Sequence, residues 1–324
     1  MTSFDRRTLL RTTSAAGLVI LLAGCGGAEQ APAPTRFFER IGKPIGLQLY
    51  ALGDEAGTDL GATLAAVKAM GYGEIELPGL YGQTPADIRK LADAAGLPIA
   101  SLHVPAAAFV PGNDLTFEAA PDTIAQAAET LGVKQLVIPF PILPDGFAMG
   151  EGEAFPAAIS RAFSGTDLAY WQRTAARFNE IGAQMQERGI PVAYHNHNLE
   201  FAPLGDTTPW AVLMAETDPA LLKVELDLGW VAQAGLDPAT MLTELGPRVT
   251  SLHVKDVAKG GAQSFYFGAT PTEVGSGRID WASVLPIAAD IGVAHYFVEQ
   301  EPPFTIPRPE AMEKSAQFLL GLEA

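Results

Sequence analysis

The chain has 324 residues, with 21 Lys and Arg against 37 Asp and Glu, a formal charge of -16 and a single cysteine. A surface this acidic repels phosphate backbones, so nucleic acid is excluded as an expected partner. The length suits one large domain or two small ones.

The N-terminus reads as an address. Arg6 and Arg7 precede an apolar run from Ala15 to Ala23, which ends in Leu22-Ala23-Gly24-Cys25. The arginine pair resembles a twin-arginine export signal, and the Leu-Ala-Gly-Cys stretch resembles a bacterial lipobox, in which the cysteine is lipidated and becomes the mature N-terminus. The apolar run is shorter than the ~20 residues a spanning helix needs. The expectation is a signal over residues 1–25 and a protein of the periplasm or cell envelope, touching the membrane only through a lipid on Cys25. Losing Asp5, Arg6, Arg7 and Arg11 with the signal takes the formal charge to -18. With Cys25 lipidated, no thiol remains for a disulfide, a thiolate nucleophile or a zinc-thiolate site. Residues 26–37, rich in Gly, Ala and Pro without apolar period, read as a flexible tether. Residues 38–324 are left as the folded body.

In that body, short apolar strands alternate with amphipathic helical stretches. In chain order the strands are PIGLQLY, GEIEL, IASLHV, QLVIPF, PVAYHNH, LKVELDL, TSLHVKD and HYFVEQE. The helical stretches between and after them are Asp59 to Met70, Pro85 to Ala95, Ala119 to Leu131, Leu168 to Arg188, Pro209 to Glu216, Pro238 to Leu245, Trp281 to Ile291 and Pro309 to Leu320. Eight strand–helix units at this length predict an α/β protein, a single (β/α)8 TIM barrel, in preference to an open doubly wound sheet. No dinucleotide fingerprint supports the open sheet: GYGEIE at Gly71 lacks a third glycine and runs into a strand.

Alternate strand residues point to the barrel axis. That rule sends inward Gly46, Gln48 and Tyr50; Glu74 and Glu76; Ser101 and His103; Ala193, His195 and His197; Lys223, Glu225 and Asp227; Ser251, His253 and Lys255; and Phe297, Glu299 and Glu301. Polar residues thus gather inside, mostly at the C-terminal strand ends where barrel enzymes carry their sites. His295 begins the last strand and reads as structural. His195 and His197 are neighbours on one inner face, about 6.6 Å apart at Cα, so one is expected to bind a metal and the other to face substrate.

YHNHNLEF, VELDLGWVAQAG, SLHVKD, VGSGRIDW and YFVEQE are similar, in order and spacing, to the strand-end motifs of the xylose isomerase-like barrels described as sugar phosphate isomerases/epimerases. The resemblance runs from about Ile45 to Leu320. It implies one divalent metal held by Glu, Asp, His and Glu from the last four strands. Carried over, these positions are His195 in place of the first glutamate, then Asp227, His253 and Glu299. Two-base epimerases of this kind move protons with the first and last glutamates, so His195 argues against a symmetric two-glutamate mechanism.

Two imidazoles and two carboxylates suit Mn, Co, Fe or Zn better than Mg or Ca, which prefer oxygen shells. Chelation of a carbonyl and its neighbouring hydroxyl would stabilise the enediolate left when an α-proton departs. Lys255 and His103 are candidates, beside Glu299, for proton transfer or carbonyl polarisation; Lys255 could instead pair with Glu225 or Glu301, and His103 with a neighbouring strand loop. Glu225 could orient a ligand histidine or pair with Lys223. His197, Glu76, Glu200 and Trp230 are candidate substrate contacts, against the plainer readings of strand-end acids and a packed tryptophan. GSGRID reads as a turn, with Asp280 capping the next helix, in preference to a phosphate cradle with Arg278. The loop after strand seven could serve as a lid. The expected partner is a small sugar or keto-sugar. The expected function is metal-dependent isomerase or epimerase chemistry in carbohydrate metabolism, with 1,2-elimination on a 3-keto-glycoside and non-catalytic sugar binding as alternatives.

Overall fold

Residues 35–53, 55–108 and 115–324 are described by a computed structural model. The expected signal, Cys25 and the tether as far as Pro34 lie outside them. The folded body begins one residue earlier than expected: Phe37 is buried and donates its N–H to Leu322 O at 2.8 Å. It opens α1 (Phe37–Ile41).

The strands form where the apolar runs are: β1 (Gly46–Gln48), β2 (Glu74–Leu77), β3 (Ile99–His103), β4 (Gln135–Ile138), β5 (Val192–His195), β6 (Leu222–Asp227) and β7 (Val249–Val254). A short antiparallel pair, β8 (Asp256–Val257) and β9 (Pro271–Thr272), follows before the last barrel strand, β10 (His295–Val298). Barrel strands pair in parallel in the closed order β1-β10-β7-β6-β5-β4-β3-β2. This is a single (β/α)8 barrel, as the alternation predicts.

The helices are α2 (Glu55–Thr58), α3 (Leu60–Ala69), α4 (Pro85–Ala95), α5 (Pro121–Leu131), α6 (Phe155–Ser164), α7 (Leu168–Gln186), α8 (Pro209–Glu216), α9 (Leu228–Gln233), α10 (Pro238–Leu245), α11 (Trp281–Asp290) and α12 (Arg308–Gly321). Their ends follow local chemistry. Thr84, Asp167 and Thr208 accept backbone N–H groups at N-caps, and Gly96 and Gly132 close α4 and α5 with left-handed backbone. The expected start of α5 at Ala119 moves to Pro121, because a residue before proline is pushed to extended backbone and Ala120 has ψ 132°. Four helices, α1, α2, α6 and α9, were not expected. The first two are short, α6 lies between Gly- and Pro-rich loops, and α9 opens directly from the end of β6. Asp280 stands at the N-cap of α11 but does not cap its backbone; its Oδ2 accepts the Ser283 hydroxyl at 2.7 Å.

Outward strand residues meet the helices in one apolar layer. On α7, Trp171, Ala175, Phe178, Ile181 and Met185 recur at helical spacing and are buried against it. The barrel interior differs: Gln48, Glu76, Ser101, His103, Gln135, Glu225, Asp227, Ser251 and His253 are all buried there. Its floor is sealed by Phe297 lying on Gly46, where a Cβ would come within 2.5 Å of the ring. His295, at the foot of β10, pairs with Glu74 at 3.0 Å, the structural role expected of it. Among the described residues no helix is long and apolar enough to cross a membrane.

Candidate active site

Strand register sets the site. Asp227 on β6 pairs with His253 on β7, and His195 on β5 pairs with Glu225, one layer below Asp227. Two overlapping sets of buried donors result. The upper is His195, Asp227, His253 and Glu299, and the lower is His103, His195, Glu225 and His253, with the ligand atoms of each within 4.8 Å of one another.

The orientation of the imidazoles separates the two sets. Glu225 Oε1 lies 3.1 Å from His103 Nε2, 3.1 Å from His253 Nε2 and 3.3 Å from His195 Nδ1. Its other oxygen accepts the Ser251 hydroxyl at 2.8 Å. The opposite nitrogens face upward: His253 Nδ1 is 3.0 Å from Glu299 Oε2 and 3.7 Å from Asp227 Oδ2, and His195 Nε2 is 4.0 Å from Asp227 Oδ2. A carboxylate behind each imidazole is the usual way to fix the tautomer and aim of a ligand histidine. Lys223 does not pair with Glu225; it donates to Pro219 O at 2.7 Å.

The upper set fits a divalent ion. Asp227 Oδ2 is buried and turned toward the donor set and the Lys255 ammonium, 2.9 Å away, while Oδ1 takes the Trp230 N–H at 2.8 Å. Asn196, between the two histidines, holds the Asp227 backbone, accepting its N–H at 2.9 Å. That role was not anticipated, although Asn196 stands in the middle of HNH. His197 lies beyond the end of β5 and outside both donor sets.

The charges divide sharply. Burial pulls His253 down, but the Glu225 and Glu299 carboxylates outweigh it and hold it well above the usual imidazole range. Burial likewise opposes charge on Glu225 and Glu299, yet His253 and, for Glu299, Lys255 keep both well below the usual carboxylate range. Burial and its charged neighbours push His195 down, and His197 further. His103 is raised to about 9 because Glu76 and Glu225 overcome its burial.

Lys255 Nζ sits 2.9 Å from Asp227 Oδ2, 2.7 Å from Glu299 Oε2 and 2.8 Å from Glu301 Oε1, and 4.9 Å over the Trp230 ring. Despite burial, these carboxylates hold its proton well beyond the usual range. Of the two partners expected for it, Glu301 is present and Glu225 is not. His103 is turned down toward Glu76 and Glu225, its Nε2 3.1 Å from each.

Two residues expected as substrate contacts have protein partners. Glu76 is buried in the barrel, where Oε1 accepts from Gln48 at 2.8 Å and meets His253 Nε2 at 2.7 Å, while Oε2 takes the Ser101 hydroxyl. Glu200 is buried on the helix side, accepting the Tyr194 hydroxyl and the His197 N–H. Burial pushes Glu200 up to about 7. Glu76 faces inward as alternation predicts, and Glu200 lies in a helical turn, Leu199–Phe201, beyond the end of β5. Trp230 is buried and packs the mouth, stacked on Phe267 at 5.7 Å.

The chemistry of the mouth also draws on residues that alternation does not reveal. Phe140 and Phe267 approach the His197 ring at 4.7 and 5.3 Å. Asn198 donates to Ser264 O at 3.0 Å and Tyr266 O at 2.7 Å, clasping the loop after β8 over the site. Arg278 ties the same loop through Gly261 O at 2.8 Å. Asp256 is buried and accepts N–H groups from Val257, Gly275, Gly277 and Ile279 and the Trp281 indole.

A family model for the xylose isomerase-like TIM barrel matches residues 64–322. The chain belongs to that family. A Bacillus anthracis inosose dehydratase is 29% identical over 163 residues, 46% of this chain and 53% of the relative. The chain thus matches about half the length of that curated relative. A sugar phosphate isomerase/epimerase from Parabacteroides distasonis superposes with a TM-score of 0.65 at 24% identity, covering 86% of this chain and 98% of the other. A family barrel from Mycobacterium smegmatis in complex with magnesium superposes at 0.59 with 14% identity, covering 86% and 95%. These structural likenesses concern the fold.

Proposed function

We propose that this protein is a metal-dependent enzyme of isomerase or epimerase type, acting on the α-proton of an unphosphorylated sugar or keto-sugar. The observation that carries the reading is the upper donor set, His195, Asp227, His253 and Glu299, with Glu225 behind both imidazoles. Those four residues would hold the ion. Bound there, a divalent cation supplies the positive charge that polarises a carbonyl and its neighbouring hydroxyl and lowers the cost of removing the α-proton. The mixed nitrogen and oxygen donors favour Mn, Co, Fe or Zn; the magnesium-bound neighbour makes Mg the comparison ion.

The chain's own groups divide the remaining work. Glu299 is held below the usual carboxylate range, and its side chain is 6% exposed at the mouth while that of Asp227 is wholly covered, which supports Glu299 as the group that takes the proton. The Lys255 ammonium 2.7 Å away stabilises negative charge developing on substrate oxygen. The neutral His197, with Nδ1 free of hydrogen bonds, accepts a substrate hydroxyl. The Phe140, Trp230 and Phe267 rings form the apolar wall against which a sugar face packs.

A second reading rests on His195 itself. With an imidazole in place of a first carboxylate, one base remains, which suits elimination across C1 and C2 of a 3-keto-glycoside; the relative named as a dehydratase supports that reaction class.

The test is metal content by elemental mass spectrometry together with deuterium uptake from solvent into candidate sugars and 3-keto-glycosides. About one transition ion per chain, lost in His253→Ala along with solvent exchange, is the expected result. Absence of metal in the wild type, even after soaking with Mn²⁺ and Zn²⁺, sinks the enzyme reading and favours a sugar-binding barrel.

A further inference from the structure

Lys255 is the lysine in a mouth otherwise built from carboxylates and imidazoles, and it is completely buried. Its stem lies on Gly229, where a Cβ would come within 2.6 Å of Lys255 Cγ. Its ammonium meets Asp227 Oδ2 and Glu299 Oε2, the same two oxygens that face His253 Nδ1 in the upper donor set. An ion bonded to these oxygens at about 2.0–2.2 Å lies within about 5 Å of that ammonium. Two cations so close in a dry site repel strongly. Glu301 offers the ammonium a way out: its Oε1 already accepts from Nζ at 2.8 Å, its Oε2 has no hydrogen-bond partner, and its side chain is 17% exposed at the rim.

We propose that Lys255 is a built-in counter-ion that competes with the divalent metal for Asp227 and Glu299, with Glu301 receiving its ammonium when the metal enters. The proposal rests on the metal reading above and adds to it a control on metal affinity. In the metal-free protein the lysine neutralises carboxylates that would otherwise repel one another, so the site stays assembled. Metal binding then displaces one cation by another, which lowers affinity and makes loading reversible. Lys255 acts here through the two carboxylates, as a positioning residue.

The experiment is calorimetric titration of the full-length purified protein with Mn²⁺ and with Zn²⁺, at one pH and ionic strength, in the wild type, Lys255→Met, Glu301→Gln and the double variant. Lys255→Met is expected to bind at least about tenfold more tightly, and its melting temperature to rise more on metal addition than that of the wild type. Glu301→Gln is expected to bind at least about threefold more weakly, and that effect to vanish in the Lys255→Met background, since Glu301 acts through the lysine. Equal or weaker binding by Lys255→Met overturns the proposal, as does an effect of Glu301→Gln that persists without the lysine. Should Lys255→Met fail to fold without metal, unchanged or tighter binding by Glu301→Gln alone overturns it. A wild type that binds neither ion defeats the metal reading itself, an outcome distinct from the others.

Discussion

Two rings of buried polar side chains lie one above the other in the barrel, and they differ in how fully their hydrogen-bonding groups are used. In the lower ring, Gln48, Glu76, Ser101, Gln135, Glu225 and Ser251 form a connected network: Gln135 donates to Ser251 at 2.9 Å, Ser251 to Glu225, and Gln48 to Glu76. In the upper ring, Asp227 Oδ2 meets the Lys255 ammonium at 2.9 Å, while His197 Nδ1 and Glu301 Oε2 are buried without a hydrogen-bond partner; in the lower, His195 Nδ1, 3.3 Å from Glu225, is without one too. A buried polar atom left unpaired costs about 1–3 kcal/mol, so the lower ring's connected hydrogen bonds fit a scaffold, and the unpaired atoms nearer the mouth are the ones open to a further partner. Burial and charge alone do not distinguish the two.

Glu225 is where the comparison breaks most visibly. Glu225→Gln removes a charge that faces three imidazoles, and the expected cost is about 3–5 kcal/mol of stability, read by urea denaturation. Metal affinity should fall roughly 10–100-fold while the upper donors stay intact, because both ligand histidines lose the group that aims them. Unchanged affinity would mean that the lower ring only fills space.

Glu200 sharpens the contrast from outside the barrel, being a satisfied carboxyl that burial nevertheless keeps protonated. Its folded pKa, about 7, exceeds the ordinary glutamate value of 4.5. Below pH 4.5 both folded and unfolded chains hold the proton; as pH rises toward 7 only the unfolded chain releases it, so stability falls across that window and the loss is complete above it. The expected loss is of order 3 kcal/mol. Denaturation at pH 5 and pH 8 should show it in the wild type, and the pH-dependent difference should shrink in Glu200→Gln.

The smallest effect concerns the cover of the upper ring. Asn198→Ala removes two hydrogen bonds to the loop after β8 and should cost about 1–2 kcal/mol locally. Hydrogen exchange over residues 258–270 is expected to quicken while the barrel strands stay protected; equal quickening everywhere would count against a separately held cover.

The strands were legible because each is a short apolar run between turn signals, and most helix bounds fell within a residue or two of the caps. Asp227, His253 and Glu299 were legible for a related reason: a polar residue at the end of an apolar strand is conspicuous. Alternation did turn Glu76 inward, but its partners across the barrel, and those that hold Glu200 beyond the end of β5, carry no signal in the local sequence. Phe140, Phe267 and Asn198 gave little sign, since loop residues carry no period.

By itself the sequence determined the alternation of strand and helix, and with it the barrel, because hydrophobic period is a local property of the chain. It also placed imidazoles and carboxylates at strand ends. Only the tertiary structure decided which of them meet. The closed register of eight strands brings His195, Asp227, His253 and Glu299 together from four successive strands, and sets Glu225 behind the histidines and Lys255 against the carboxylates. Such contacts depend on strand order, twist and layer, which no short stretch of sequence contains.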